Sequence, residues 1–214
     1  MRQVSAILLA AGESRRMGAH NKLTLPVAGV PMLRRSAGIL SNSSVHEIVV
    51  VIGHEQQTAR ALLEDLPVGI VHTTDYREGQ MSSVYCGMAA LSERCDGVMV
   101  CLSDQPLLEA GDIDRLVCTF LNDCATSVLV PTWQGRRGNP IILDYRHRAE
   151  ILGGARHLGC RRLVENFPHL VTALEMDNDH VVFDLDSPVD YQRLLQRLEP
   201  DINALAGVKT VAGN

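Results

Sequence analysis

The feature that most constrains the fold is a rhythm. Short apolar runs of four to six residues recur along the chain: Val4-Ser5-Ala6-Ile7-Leu8-Leu9, Glu47-Ile48-Val49-Val50-Val51-Ile52, Gly97-Val98-Met99-Val100-Cys101-Leu102 and Ser127-Val128-Leu129-Val130. None alternates strictly between apolar and polar residues, so neither face is built to meet water. Strands of this kind lie inside parallel sheets. Between them stand segments with helical spacing: Met32 to Leu40, Glu55 to Leu66, Met81 to Leu91 and Asp112 to Leu121. Strand and helix alternating at this pace predict an α/β fold, a single doubly wound, mostly parallel sheet with helices on both faces.

The composition agrees with one such domain. The 214 residues suffice for one α/β domain and fall short of two. A hydrophobic share of 46% excludes a disordered chain. Only 4% of residues are aromatic, so the core must be aliphatic. With 20 Lys and Arg against 25 Asp and Glu, the net charge is −5, and no long basic run stands out. That argues against a nucleic-acid partner. The apolar stretch Ala6 to Ala11 is far shorter than the ~18–20 residues of a membrane span, and no signal segment precedes it. The six cysteines form no CxxC pair and read as reduced core thiols of a cytoplasmic protein.

The pattern changes from Thr132 to Leu143. There Gln134-Gly135-Arg136-Arg137-Gly138-Asn139-Pro140 predicts a small β-hairpin insertion. A helix is expected around Gly154 to Phe167, a strand near Leu170 to Met176 and another over Val181 to Asp186. Ser187-Pro188 then opens a last helix reaching about Leu198, with Ser as N-cap and Pro at the first helical position. One domain over 1–199 with a flexible tail over 200–214 is the expected organisation.

The chemistry centres on the turn after the first strand. Ala10-Ala11-Gly12-Glu13-Ser14-Arg15-Arg16-Met17-Gly18, with Lys22 close behind, stands where open α/β sheets bind ligands. Small residues let backbone N–H groups approach an anion, and three cations add charge in an acidic chain. A polyphosphate ligand fits these features. The pattern is not GxxxxGK[ST], since Ala19 stands where Lys would be. Nor is it GxGxxG, since Ser14 and Met17 replace the later glycines, which weighs against an NAD(P)-dependent oxidoreductase. At Asp104 an acid ends an apolar strand and suits Mg²⁺, or simply forms a turn. Asp186 has the same two readings, and Ser82 and Ser83 are equally placed to cap a helix. The eight histidines show no metal-ligand spacing.

Leu8-Leu9-Ala10-Ala11-Gly12-x-Ser14-x-Arg16-Met17-Gly18, followed by Lys22-Leu23 and Pro26, resembles the signature of MobA-like nucleotidyltransferases. Met81-Ser82-Ser83, Leu102-Ser103-Asp104-Gln105-Pro106, Gly135-x-x-Gly138-Asn139-Pro140 and Asp184-Leu185-Asp186-Ser187-Pro188-x-Asp190-Tyr191 extend the likeness from about Val4 to Leu198. Leu-Ala-Ala-Gly and Ser-Asp-Gln-Pro are most similar to the molybdenum cofactor cytidylyltransferase branch. Asp184 and Asp186 stand where guanylyl relatives carry asparagines. A family element Gly-Asp-x-Gly-Ala-Arg is altered here to Arg156-His157-Leu158-Gly159-Cys160-Arg161.

The resemblance implies a Rossmann-like nucleotidyltransferase fold and transfer of a cytidylyl group from CTP to the phosphate of molybdenum-bound molybdopterin, with release of pyrophosphate. It implies nucleotide contacts from Leu9, Ala10, Ala11, Gly12, Ser14, Arg16, Lys22, Ser82, Ser83 and Asp104. Arg16, Lys22 and Asp104 would be catalytic, Asp104 and Asp186 would hold Mg²⁺, and Gly138, Asn139 and Arg161 would meet the acceptor. A target apo-molybdoenzyme is an implied partner. Three alternatives stay open: a guanylyl or sugar- or alditol-phosphate nucleotidyltransferase, a non-catalytic carrier of the cofactor, and the oxidoreductase already disfavoured.

Overall fold

The structure, a computed structural model, describes residues 2–17, 21–92, 94–153 and 168–209, with side chains of the final helix described as far as Leu198. Each apolar run is a strand: β1 (Val4–Ala10), β4 (Ile48–Ile52), β6 (Gly97–Leu102) and β7 (Val128–Trp133). Every residue of β1 and β4 is buried, as two covered faces require. The remaining strands are β2 (Pro26–Val27), β3 (Val30–Pro31), β5 (Gly69–His72), β8 (Arg136–Arg137), β9 (Ile141–Asp144) and β10 (Val171–Glu175). The main sheet runs β10-β7-β9-β6-β1-β4-β5, with β8 paired to β7, while β2 and β3 form a separate two-stranded sheet. Pairs β1/β4, β1/β6, β4/β5 and β7/β10 are parallel. Strand β9 runs against both β6 and β7.

Alternation along β1 splits the core between the two sheet faces. Val4, Ala6, Leu8 and Ala10 pack beneath α1 (Met32–Ser41), α2 (Gln56–Leu63) and α4 (Ala110–Asn122) through Leu33, Leu63, Leu116 and Phe120. Ile7 and Leu9 face α3 (Gln80–Ala90) and α5 (His147–Leu152) through Val84, Met88 and Ile151. The sheet is therefore doubly wound, as the rhythm predicted. The expected hairpin joins β7 to β8 through Gln134 and Gly135, both at positive φ (50° and 75°), which suits the right-handed twist of the strands.

Three expectations need adjusting. Residues 181–186 form no strand. A single 3₁₀ turn at His180–Val182 leads into extended chain tied to other loops, with Asn139 N donating to Val181 O (2.9 Å) and Leu185 N to Asp104 O (2.8 Å). Its backbone bonds go to turn residues, Asn139 before β9 and Asp104 after β6, so it joins no ladder. The last helix, α6 (Pro188–Lys209), starts as predicted but passes the expected end near Leu198. Ala204, Leu205 and Ala206 are strong helix formers that sustain it beyond Pro200. Its start is a capping box: Ser187 N donates to Asp190 Oδ2 (2.9 Å) and Asp190 N to Ser187 Oγ (3.3 Å). The described cysteines are free, yet only Cys95 and Cys101 are buried; Cys118 and Cys124 are exposed, on α4 and in the turn after it. Cys160 and the helix expected over 154–167 lie outside the described residues. No helix among the described residues is long and apolar enough to cross a membrane.

A polar anchor fixes the start of the 178–186 segment. Asp112, in the first turn of α4, pairs with His180 Nδ1 at 2.8 Å, accepts from Asn178 Nδ2 at 3.0 Å and caps its helix by accepting from Glu109 N at 3.0 Å. Burial pushes the Asp112 carboxyl up, but these bonds together hold it below its ordinary value. The bond to Asp112 raises the His180 imidazole above its ordinary value. The pair therefore contributes fully between the unperturbed values of 3.8 and 6.5; it weakens as pH falls through the lowered Asp112 value or rises through the raised His180 value. Asp112→Ala is expected to cost roughly 2–4 kcal/mol near pH 6, with the deficit shrinking as His180 loses its proton, in denaturant titrations across pH.

Candidate active site

Three segments distant in sequence meet at the carboxyl ends of β1 and β6. They are the turn after β1, residues 103–106 after β6, and residues 181–186. The first begins with Ala11, buried, and Gly12, exposed. A Cβ at Gly12 would meet nothing within 4 Å, so packing does not demand glycine there; open space lies before the backbone. Ser14 takes a left-handed φ of 52° and reverses the chain. Its carbonyl accepts from Met17 N (2.8 Å), closing the 3₁₀ turn Arg15–Met17. Ser14 Oγ accepts from Lys22 N (3.3 Å), and Asn21 caps the next turn, Lys22–Thr24, by accepting from Leu23 N (2.9 Å). Met17 is buried as an anchor while Arg16, beside it, projects into solvent.

The second segment is held by α1. Arg35 Nε donates to Pro106 O (2.9 Å) and Ser36 Oγ to Ser103 O (3.3 Å). Between them Asp104 turns its carboxylate toward the first segment. Lys22 Nζ sits 2.6 Å from Asp104 Oδ2 and 3.6 Å from Asp186 Oδ1. Arg16 holds Asp186 with a two-pronged grip, its two terminal nitrogens each 2.8 Å from a carboxylate oxygen. The other Asp104 oxygen, Oδ1, is buried and accepts no hydrogen bond from the described residues. Asp184 completes a group of three carboxylates. Solvent reaches it, but the protein around its carboxyl, with the charges of Asp104 and Asp186, pushes its pKa up to about 6. Among the described residues, no group of three or more His, Cys, Asp and Glu is arranged to hold a metal by itself.

Beside the Lys22–Asp104 pair opens a cavity of about 240 Å³, lined by Leu9, Ala11, Gly12, Lys22, Ser83 and Asp104 with Tyr76, Gly79 and Gln80 along one wall. Six residues picked from the sequence thus share one space. Ala10 points into the core instead. Ser82 bonds back to the Asp75 and Gly79 carbonyls (2.7 Å each) and borders a separate groove between β5 and α3. Gly138 and Asn139 stand apart from the cavity, against the 181–186 segment; a Cβ on Gly138 would lie 2.4 Å from Val181 O. Arg161 and His157 lie outside the described residues.

Sequence reasoning missed Tyr76 and Gln105. Tyr76 lines the cavity and packs against Gly53, where a Cβ would come within 2.8 Å of its ring. Its neighbour Arg77 latches to Glu13 at 2.9 Å. Nothing in the local sequence marks Tyr76. Gln105 was visible inside Ser-Asp-Gln-Pro, but a buried glutamine has no signature of its own.

The MobA-like NTP transferase domain profile matches residues 6–173 of the chain. Nicotine blue oxidoreductase of Paenarthrobacter nicotinovorans is 31% identical over 199 residues, covering 90% of this chain and 96% of that protein. The bifunctional protein GlmU of Mycobacterium leprae is 31% identical over 147 residues, or 65% of this chain but only 30% of its own length. Among solved structures, Rv0371c of Mycobacterium tuberculosis H37Rv superposes with a TM-score of 0.80 at 25% identity, covering 91% and 98% of the two chains. A manganese complex of the same protein gives 0.77 at 24% identity, with the same coverage. A CMP:2-keto-3-deoxy-manno-octonic acid synthetase complexed with CTP shares the fold, with a TM-score of 0.73 at 12% identity over 93% and 99% of the chains.

The Asp184 carboxyl makes a pH test. Its folded pKa of about 6 exceeds the ordinary 3.8, so its contribution to stability is complete below 3.8 and is lost as pH rises through about 6. Asp184→Asn escapes that loss. The melting temperature of the variant relative to the parent is expected to rise between about pH 4 and about pH 7 and to level off on either side. A constant difference across that range indicates a carboxyl that titrates normally.

Proposed function

Because this chain belongs to the MobA-like NTP transferase family, and so is a nucleotidyltransferase of that type, we propose that it transfers a cytidylyl group from CTP to the terminal phosphate of a molybdenum-bound molybdopterin. The observation that carries the reading is the 2.6 Å meeting of Lys22 with Asp104, beside a cavity lined by Leu9, Ala11 and Gly12. A cation and a carboxylate set against an open turn of small residues suit a metal-loaded triphosphate. The choice of cytidine rests on the sequence resemblance, in Leu-Ala-Ala-Gly and in Asp184 and Asp186.

The donor set fits a divalent cation such as Mg²⁺. Asp104 offers a buried oxygen with no hydrogen-bond partner, and Asp186 lies across the same lysine. Mg²⁺ takes one or two carboxylates and completes its shell with phosphate oxygens and water, so a ready-made protein cage is not needed. When bound there, the ion supplies positive charge to the phosphate oxygens. The attacking phosphate is already an anion, so the site needs no general base. Its task is to align two anions and neutralise the charge that moves to pyrophosphate. Lys22 and Arg16 would meet the β- and γ-phosphates, and the open backbone at Gly12 leaves room for the same oxygens. Ser83 contacts the nucleotide from the start of α3. Gly138, Asn139 and Arg161 form the acceptor side, and the product passes to an apo-molybdoenzyme.

A second reading has one observation in its favour. A relative at 31% identity over 90% of the chain bears the name of an oxidoreductase. One experiment separates the two. The protein is incubated with CTP, GTP, Mg²⁺ and molybdenum-loaded pterin, and pyrophosphate and product mass are followed, with NADH and NADPH oxidation measured in parallel against a redox dye as electron acceptor. Cytidylylated pterin with pyrophosphate is expected; reduced-nicotinamide consumption without pyrophosphate overturns the transfer reading. GTP preference moves the chain to the guanylyl branch.

Asp104→Asn is expected to abolish metal-dependent pyrophosphate release while the protein stays folded by circular dichroism. Lys22→Ala is expected to lower kcat by roughly 10²–10³-fold, as does loss of one donor to developing charge, and to weaken CTP binding less. Equal losses in kcat/KM and in CTP affinity would make Lys22 a uniform binder.

A further inference from the structure

Gln105 is 1% exposed, in the turn that carries Asp104. A glutamine buried this completely is unusual unless its amide is used. Nε2 donates to Val181 O at 2.9 Å. The amide oxygen, Oε1, is buried with no donor among the described residues. An apolar side chain would fill the space without leaving that oxygen bare. What the amide adds is directed at one neighbour only, the segment that bears Asp184 and Asp186.

Two kinds of anchor hold that segment. His180 on Asp112 and Asp179 on Arg197 (2.8 Å) tie its start to helices and reach no carboxylate of the site. Residues 104 and 105 instead grip the segment itself: Leu185 N donates to Asp104 O at 2.8 Å, and Gln105 Nε2 to Val181 O at 2.9 Å. One turn therefore presents its own carboxylate and sets the position of two others.

We infer that Gln105 is a positioning residue whose buried amide, by holding Val181 O, sets where the 181–186 segment presents Asp184 and Asp186 to a metal-bound nucleotide. The inference rests on the nucleotidyl-transfer reading for the identity of the ligand. Groups that orient metal-facing carboxylates typically change metal affinity or activity by roughly 10–100-fold when removed.

The test uses the full chain and Gln105→Met, which keeps length and packing but has no amide. Mn²⁺ binding is measured by electron paramagnetic resonance with CTP present, alongside thermal unfolding and CTP turnover. Mn²⁺ affinity is expected to fall roughly 10-fold or more, with kcat falling and the KM for CTP little changed. Mn²⁺ affinity equal to that of the parent overturns the inference, whether or not the melting temperature drops. If the methionine variant does not fold, Gln105→Asn decides: its amide is withdrawn by one methylene, so reduced Mn²⁺ affinity is expected and parental affinity overturns the inference. A parent chain that binds Mn²⁺ but releases no pyrophosphate from CTP defeats the transfer reading, while the Mn²⁺ comparison still decides Gln105. A parent chain that binds no Mn²⁺ defeats both.

Discussion

A small apolar cluster at the rim of the sheet holds the charged site in place. Met17, Val27, Met32, Leu107, Leu185 and Leu194 pack together, all buried. They come from the turn after β1, the two-stranded sheet, α1, the turn after β6, the 181–186 segment and α6. Burying each side chain stabilises by roughly 1.5–3 kcal/mol, far more than an exposed ion pair. The charges ride on this cluster as neighbours in sequence. Arg16 precedes Met17, and Asp184 and Asp186 flank Leu185. Hydrophobic packing thus fixes the spacing of groups whose mutual attraction alone would not.

That division of labour explains why so much was legible. Continuous apolar runs mark strands buried on both faces, and β1, β4, β6 and β7 appear where those runs predict. The turn after β1 was readable because small residues and cations are costly to keep at a strand end without a use. Lys22 and Asp104 lie far apart in sequence, yet each is set by a local signal, and the parallel β1/β6 pairing brings them together.

The parts that were not legible depend on tertiary context. Val181 to Asp186 reads as a strand by composition, but its backbone bonds go to the turns at Asn139 and Asp104 and leave it no strand to pair with. Ser82 and Ser83 are indistinguishable in sequence; the 100° step between adjacent helix positions turns Ser83 into the cavity and Ser82 out of it. Cys118 and Cys124 have a residue type that favours burial, yet they fall on the outer side of α4 and in a turn. The turn cluster at Gln134 and Gly135 announces the hairpin, but nothing local says that β9 inserts between β6 and β7.

The two ion pairs have a consequence for selectivity. Lys22 and Arg16 are each matched by a carboxylate, Asp104 and Asp186, so neither cation stands without an acid. An incoming anion alone must pull a cation away and strand an acid in a partly buried place. An incoming cation alone must do the reverse. Only a visitor that brings both signs at once lets every group exchange one partner for another without leaving any charge orphaned. On the transfer reading proposed above, a metal-bound triphosphate offers that exchange, whereas free phosphate or free metal does not.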